Sequence, residues 1–263
     1  MRSHVRNVAD AAGFGLILAI GGCATYGGIV RPTPELGVLS PEAEKLTDDK
    51  IESYLQASAR PAFPTVLAIA KLKQLPRYYR TDNNWRLTVD QIHGEEADVW
   101  KRLVETHADG NKGPVQQTLF INSLAVTGEP TLENLRGAAA KLHAPLLLAY
   151  IQEDNWADGY NSAAMAYWTI VGMFVVPGNT VGHHSVCEGL IVDTRTGAIV
   201  ATVAGEAKRE ENVLPGAVSI AQRRTREHSR SEAVTRFQDD FNRILDDLAK
   251  SPTTAGAASG GAP

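Results

Sequence analysis

The chain is poor in thiols: of 263 residues, only Cys23 and Cys187 are cysteines. At most one disulfide can form within it, so a disulfide-stapled scaffold is excluded. Charge of one sign is also scarce, with 26 basic and 30 acidic side chains giving a formal −4. No basic surplus is set aside for phosphate, and the chain lacks the electrostatic footprint of a nucleic-acid-binding protein. The sequence contains no GxGxxG, Walker loop, HExxH or GxSxG. Each of those patterns places backbone amides, a metal or a nucleophile in a set geometry, and without them no catalytic residue and no cofactor is expected from motif chemistry. Uninterrupted apolar runs are short as well. Residues 11–20 form the first, too short to span a bilayer as a finished helix, and Ser162, Pro177, Gly178 and Asn179 interrupt the second at 162–182.

The amino terminus has Arg2 and Arg6 ahead of the apolar run at 11–20, the arrangement of an export signal. Ile20-Gly21-Gly22-Cys23 then places an aliphatic and two very small residues before a cysteine. This resembles the lipobox of bacterial lipoproteins, which implies cleavage before Cys23 and acylation of its sulfur and new amine. A thiolate is nucleophilic enough to take the diacylglycerol, and small residues let the backbone lie in a peptidase groove. Several acyl chains at roughly 0.8 kcal/mol per buried methylene make such an anchor effectively permanent. Ala24, where an Asp would retain the protein at the inner membrane, implies an outer-membrane lipid anchor facing the periplasm. With Cys23 acylated, Cys187 is left without a partner for a disulfide.

Four segments are expected: a signal at 1–22, a lipidated flexible spacer at 23–40, a single domain at 41–250 and a disordered tail at 251–263. Prolines and glycines crowd the spacer, and the tail is SPTTAGAASGGAP. Within the domain, periodicity predicts helices at 41–57 (anchored by Leu46, Ile51 and Leu55), at 94–106 (Ala97, Trp100 and Leu103 or Val104 on one face) and at 131–142, capped by Thr131. Short apolar runs predict strands at 65–73, 116–124 and 146–151, the last buried on both faces. From 165 the pattern reads as an antiparallel strand meander: 165–176, turn chemistry at 177–184, 185–194, the Arg195-Thr196-Gly197 turn, then 198–207. Apolar residues spaced by three and four from Ala233 to Leu248 predict an amphipathic carboxy-terminal helix at 230–250, packed on the sheet. The fold class is α/β, a mixed sheet with flanking helices.

His183, His184 and Cys187 are the sharpest cluster of ligand-type side chains. Adjacent strand residues face opposite ways, so only His183 with Cys187, or His184 with Glu188, shares a side. Two ligands do not close a zinc site, and these three stand only as weak metal candidates. Asp193 lies roughly 20 Å along the strand from Cys187, too far to orient a histidine serving that thiol. The pairs Glu95-Glu96, Asp239-Asp240 and Asp246-Asp247 read as solvated helix faces.

Two stretches carry a further resemblance. Residues 135–154, LRGAAAKLHAPLLLAYIQED, pair an alanine-rich helix with a hydrophobic strand, and residues 188–207 contain Val192, Asp193, Thr196 and Gly197 around a turn. Both resemble the α/β domain shared by the curli secretion channel subunit, the lipoprotein activator of penicillin-binding proteins and the amino-terminal domain of TolB. That resemblance implies a scaffold or adaptor that binds a cell-envelope protein or complex, with the membrane as its other contact and homo-oligomers allowed. Two alternatives are an oligomeric secretion channel component using 162–184 as a membrane hairpin, and an envelope hydrolase or metal-binding protein.

Overall fold

The computed structural model describes residues 26–32, 47–56, 62–75, 86–105 and 113–250; Cys23 and the carboxy-terminal tail lie outside them. The elements are α1 (Asp48–Gln56), β1 (Thr65–Leu75), β2 (Arg86–Asp90), α2 (Glu95–Glu105), β3 (Val115–Phe120), α3 (Leu132–Lys141) and β4 (Leu146–Tyr160). A 3-10 turn (Ser162–Trp168), α4 (Ile170–Val175), β5 (Asn179–Asp193), β6 (Ile199–Val213) and α5 (Val218–Lys250) complete the chain. The fold is mixed α/β, as expected.

One six-stranded sheet runs β2-β1-β4-β5-β6, with β3 pairing beside β2 on the same edge of β1. β1 is parallel to β3 and β4 and antiparallel to β2. β1 leaves β4 after Leu72 and Ile151, while β4, β5 and β6 continue together to Tyr160, Asn179 and Val213. The second half of the sheet is therefore a long three-stranded ribbon projecting beyond the body. Its strands are antiparallel, so the second half holds a meander, but its first strand is β4 and not the expected 165–176.

Local chemistry sets the best-defined joints. Thr131 Oγ1 accepts the Asn134 amide at 3.2 Å and starts α3. Asp193 Oδ1 accepts from the Thr196 amide at 2.7 Å and from Thr196 Oγ1 at 2.9 Å, closing the β5–β6 turn, where Gly197 takes a φ of 77°. Arg136 of α3 donates from Nε to the Thr194 carbonyl (3.2 Å) and from Nη2 to that of Arg195 (3.1 Å), locking the turn to the helix.

Each face of the sheet has its own core. Leu72, Leu147 and Ile151 pack with Leu135 and Ala139 of α3 on one side. Leu67, Leu148 and Ile191 pack with Trp100 of α2 and Phe237 and Phe241 of α5 on the other. The Trp100 ring meets Phe237 and Phe241 edge-on, with centroids 6.2 and 5.7 Å apart. Burial of β4 through Ile151 on both faces follows from this two-layer cover.

Several expectations fail. Residues 165–176 are not a strand: they are a 3-10 turn and α4, outside the sheet. Tyr160 pairs directly with Asn179, so β-branched and aromatic residues in this connection have no strand to pair with. Asn161 and Thr169 instead cap its two turns by accepting the Ala163 and Gly172 amides. Residues 179–184, read as turn chemistry, begin β5. Ile51 and Leu55 do not anchor α1; both are exposed and neither joins a core. Leu46 lies outside the described residues, as do the side chains of Leu103 and Val104. β2 was not foreseen, and α5 begins twelve residues before 230. Among the described residues no helix is long and apolar enough to cross a membrane.

Part of the expected spacer is bound to the sheet. Residues 26–32 lie along the ribbon's face opposite α5, where the Tyr26 amide donates to the Tyr160 carbonyl at 2.8 Å. Tyr26 Oη donates to Glu210 at 2.8 Å, and Arg31 bridges Glu188 (2.7 Å) and Glu206 (2.8 Å). Gly182 makes this possible, since a Cβ there would lie 2.4 Å from Tyr26 Oη.

Candidate functional site

The ribbon places its odd-numbered β5 residues toward α5 and its even-numbered ones toward residues 26–32. His183 and His184 are thus separated by the sheet, as strand alternation requires. His184 Nε2 is 2.8 Å from Glu206, on the face that carries Arg31. His183 faces α5. Cys187 shares that face but is wholly buried near Tyr150 and Phe237, and burial pushes its thiol far above the ordinary range. Among the described residues no three histidine, cysteine, aspartate or glutamate side chains are grouped to hold a metal ion. Asp193 serves the β5–β6 turn, and the Ser185 and Ser229 hydroxyls are buried against each other at 2.7 Å.

His183 lines a cleft of about 730 Å³ between the ribbon and the first half of α5. The walls bring together Asp154 and Trp156 from β4, Lys73 from β1, and Arg223, Arg226 and Arg230 from α5. Asp154 Oδ2 accepts from Arg230 Nε at 3.0 Å and lies 4.0 Å from Arg226 Nε. Its Oδ1 is buried without a hydrogen-bond partner, and so is His183 Nδ1. Burial lowers the proton affinity of His183; the Asp154 carboxylate opposes that shift and the Arg226 guanidinium adds to it. Glu153, also on the wall, is shifted upward, first by burial and then by the charge of Asp154. Arg223 makes no hydrogen bond or ion pair among the described residues.

Lys73, Arg223, Arg226 and Arg230 thus line the cleft together with Asp154, Glu153 and His183. Guanidinium forks in such a lining are directed donors of the kind that suit carboxylate-bearing or otherwise anionic groups. A helix expected only from 230 leaves Arg223 and Arg226 outside it and so misses the cleft; α5 starts at Val218, and spacing by three and four puts Arg223, Arg226 and Arg230 on one of its faces. Glu96, read as part of a solvated helix face, is instead tied into the core. It accepts from Lys71 Nζ at 2.7 Å and from Tyr150 Oη at 2.7 Å.

No family model and no curated protein matches this chain. Solved structures similar to it include a Xanthomonas campestris protein of the DUF330 family, at 9% identity over 73% of this chain and 91% of that one, with a TM-score of 0.29. A candidate lipoprotein from Caulobacter crescentus is similar at 17% identity over 46% of this chain and 83% of its own, with a TM-score of 0.25. A hypothetical protein from Chlamydia trachomatis shares 11% identity over 71% of this chain and 99% of its own, with a TM-score of 0.31.

Proposed function

We propose that the protein is a lipid-anchored, periplasm-facing adaptor of the outer membrane, and that its cleft engages a carboxylate-rich segment of an envelope protein. The observation that carries this reading is the docking of residues 26–32 on the ribbon. A peptide that follows Cys23 by three residues is fixed to the folded body, so acyl chains on Cys23 would hold the domain directly at the bilayer rather than on a loose leash. Three residues span at most about 11 Å. The cleft lies on the opposite face of the ribbon from this attachment, where a partner can reach it, and Arg223 offers an uncommitted guanidinium there.

The test has two arms in intact envelopes. Cys23→Ala should abolish incorporation of labelled palmitate. A photoreactive residue in place of Trp156 should give one discrete protein adduct that weakens in an Arg223→Glu background. Palmitate retained by the alanine variant sinks the anchor; adducts indifferent to Arg223→Glu sink the cleft as the binding surface.

A further inference from the structure

The connection between β4 and β5 is the most apolar exposed part of the described residues. Met165 is 82% exposed, Trp168 74%, Ile170 79% and Phe174 70%. No Asp, Glu, Lys or Arg occurs from Gly159 to Cys187. Soluble surfaces seldom leave so many large apolar side chains together without an interaction to cover them.

The shape of this tip is set by its own polar groups rather than by anything that covers it. Tyr167 Oη accepts the Gly178 amide at 2.7 Å, Asn161 Nδ2 donates to the Pro177 carbonyl at 3.0 Å, and the Tyr160 and Tyr167 rings meet edge-on at 6.3 Å. These bonds tie the two ends of the tip together, and Met165, Trp168, Ile170 and Phe174 stay exposed on it. Neither helical turn exceeds seven residues, so the tip can enter a bilayer but cannot cross it.

Its position names the occupant. The tip springs from Asn161, and the residue before it, Tyr160, accepts the Tyr26 amide. Cys23 is three residues from Tyr26 in sequence, a reach of at most about 11 Å, so a lipid on its sulfur would lie within that reach of the Tyr26 amide at the base of the tip. We infer that residues 162–175 are a membrane-dipping foot, which seats Met165, Trp168, Ile170 and Phe174 in the outer acyl region of the leaflet that receives the Cys23 lipid. Tryptophan and tyrosine beside aliphatic residues suit that depth, where an apolar ring body and a polar edge are both accommodated. The inference rests on the Cys23 anchor for its direction. With two attachments at one end, the domain stands in a fixed orientation with its cleft held off the surface.

The full chain, purified from envelopes and reconstituted into phosphatidylethanolamine–phosphatidylglycerol vesicles containing bromine-labelled acyl chains, tests this through tryptophan quenching. Emission should fall on bromination in the parent protein, and Trp168→Phe should remove that fall. Ile170→Asp with Phe174→Asp, both at exposed positions, should also remove it while leaving the protein floating with the vesicles through its lipid. Vesicle-bound protein whose emission is indifferent to bromine overturns the foot and leaves the tip for a protein partner. Intact mass reports the acyl groups separately. Unacylated chain that still floats and is quenched through Trp168 keeps the foot and sinks the anchor; unacylated chain that does not float sinks both.

Discussion

Gly182→Ala tests whether residues 26–32 are bound to the ribbon. The added methyl would sit 2.4 Å from Tyr26 Oη, well inside contact distance, while the Tyr26 backbone already lies 3.0 to 3.1 Å from where a Cβ on Gly159 would be. The strand cannot yield without breaking the β4–β5–β6 ladder, so the phenol swings away and leaves Glu210. A hydrogen bond to a carboxylate contributes about 1.5–3 kcal/mol when screened from water, and the partial exposure of Glu210 places this one at about 1 kcal/mol. Loss of the ring's seat over the glycine adds a similar amount. Together, about 2 kcal/mol corresponds to a fall of roughly 30-fold in hydrogen-exchange protection of the Tyr26 amide. Tyr26→Phe, which removes only the hydroxyl, should lose about 5-fold. Exchange at amide resolution reads both, and amides in the β4–β5 ladder near Ile151 serve as the internal control. Equal protection in parent and Gly182→Ala protein, or an unprotected Tyr26 amide in the parent, refutes the docking.

Three other outcomes follow from the same packing. Gly205→Ala drives a Cβ to 2.3 Å from the Ala233 carbonyl oxygen and the Phe237 nitrogen, both backbone of α5, and should cost about 1–3 kcal/mol in urea unfolding; an unchanged midpoint contradicts the close seating of α5 on β6. His183 has its proton affinity lowered from an ordinary value of 6.5, so the unfolded chain takes up a proton there before the folded one does. Its contribution is intact above pH 6.5, is lost progressively as pH falls toward the folded-state value and is constant below it. His183→Gln should flatten that slope, and identical pH profiles in chemical unfolding would refute the assignment. Cys187, fully buried with its thiol pushed up by burial, should resist iodoacetamide until the protein unfolds; stoichiometric labelling of the folded chain would contradict its place in the core.

What could be read in advance was whatever local chemistry decides. Thr131 capping α3, the unbroken run from Leu146 to Ile151, and the Asp193-to-Gly197 turn each carry their structural reason within a few residues. The second half of β4 did not, because Gln152 to Tyr160 mixes acids, glycine and aromatics with no clean alternation. It is a strand because β5 pairs with it along its whole length and because α5 and residues 26–32 cover parts of its two faces. Residues 165–176 misled for the opposite reason. Their composition favours a strand, yet a strand needs a neighbour, and direct pairing of Tyr160 with Asn179 leaves them none. The cleft was hidden by distance in sequence. Asp154 meets Arg226 and Arg230 only after a hairpin and a helix have folded back, and nothing in the spacing of arginines alone says whether a ribbon lies beneath them.

The account turns on the sulfur of Cys23, and the mass of the intact protein isolated from envelopes tests it most directly. A chain that begins at Cys23 and carries acyl groups is the expected result. A chain that keeps residues 1–22, or starts at Cys23 with a free thiol and amine, would contradict the anchor and with it the orientation assigned to the ribbon, the foot and the cleft.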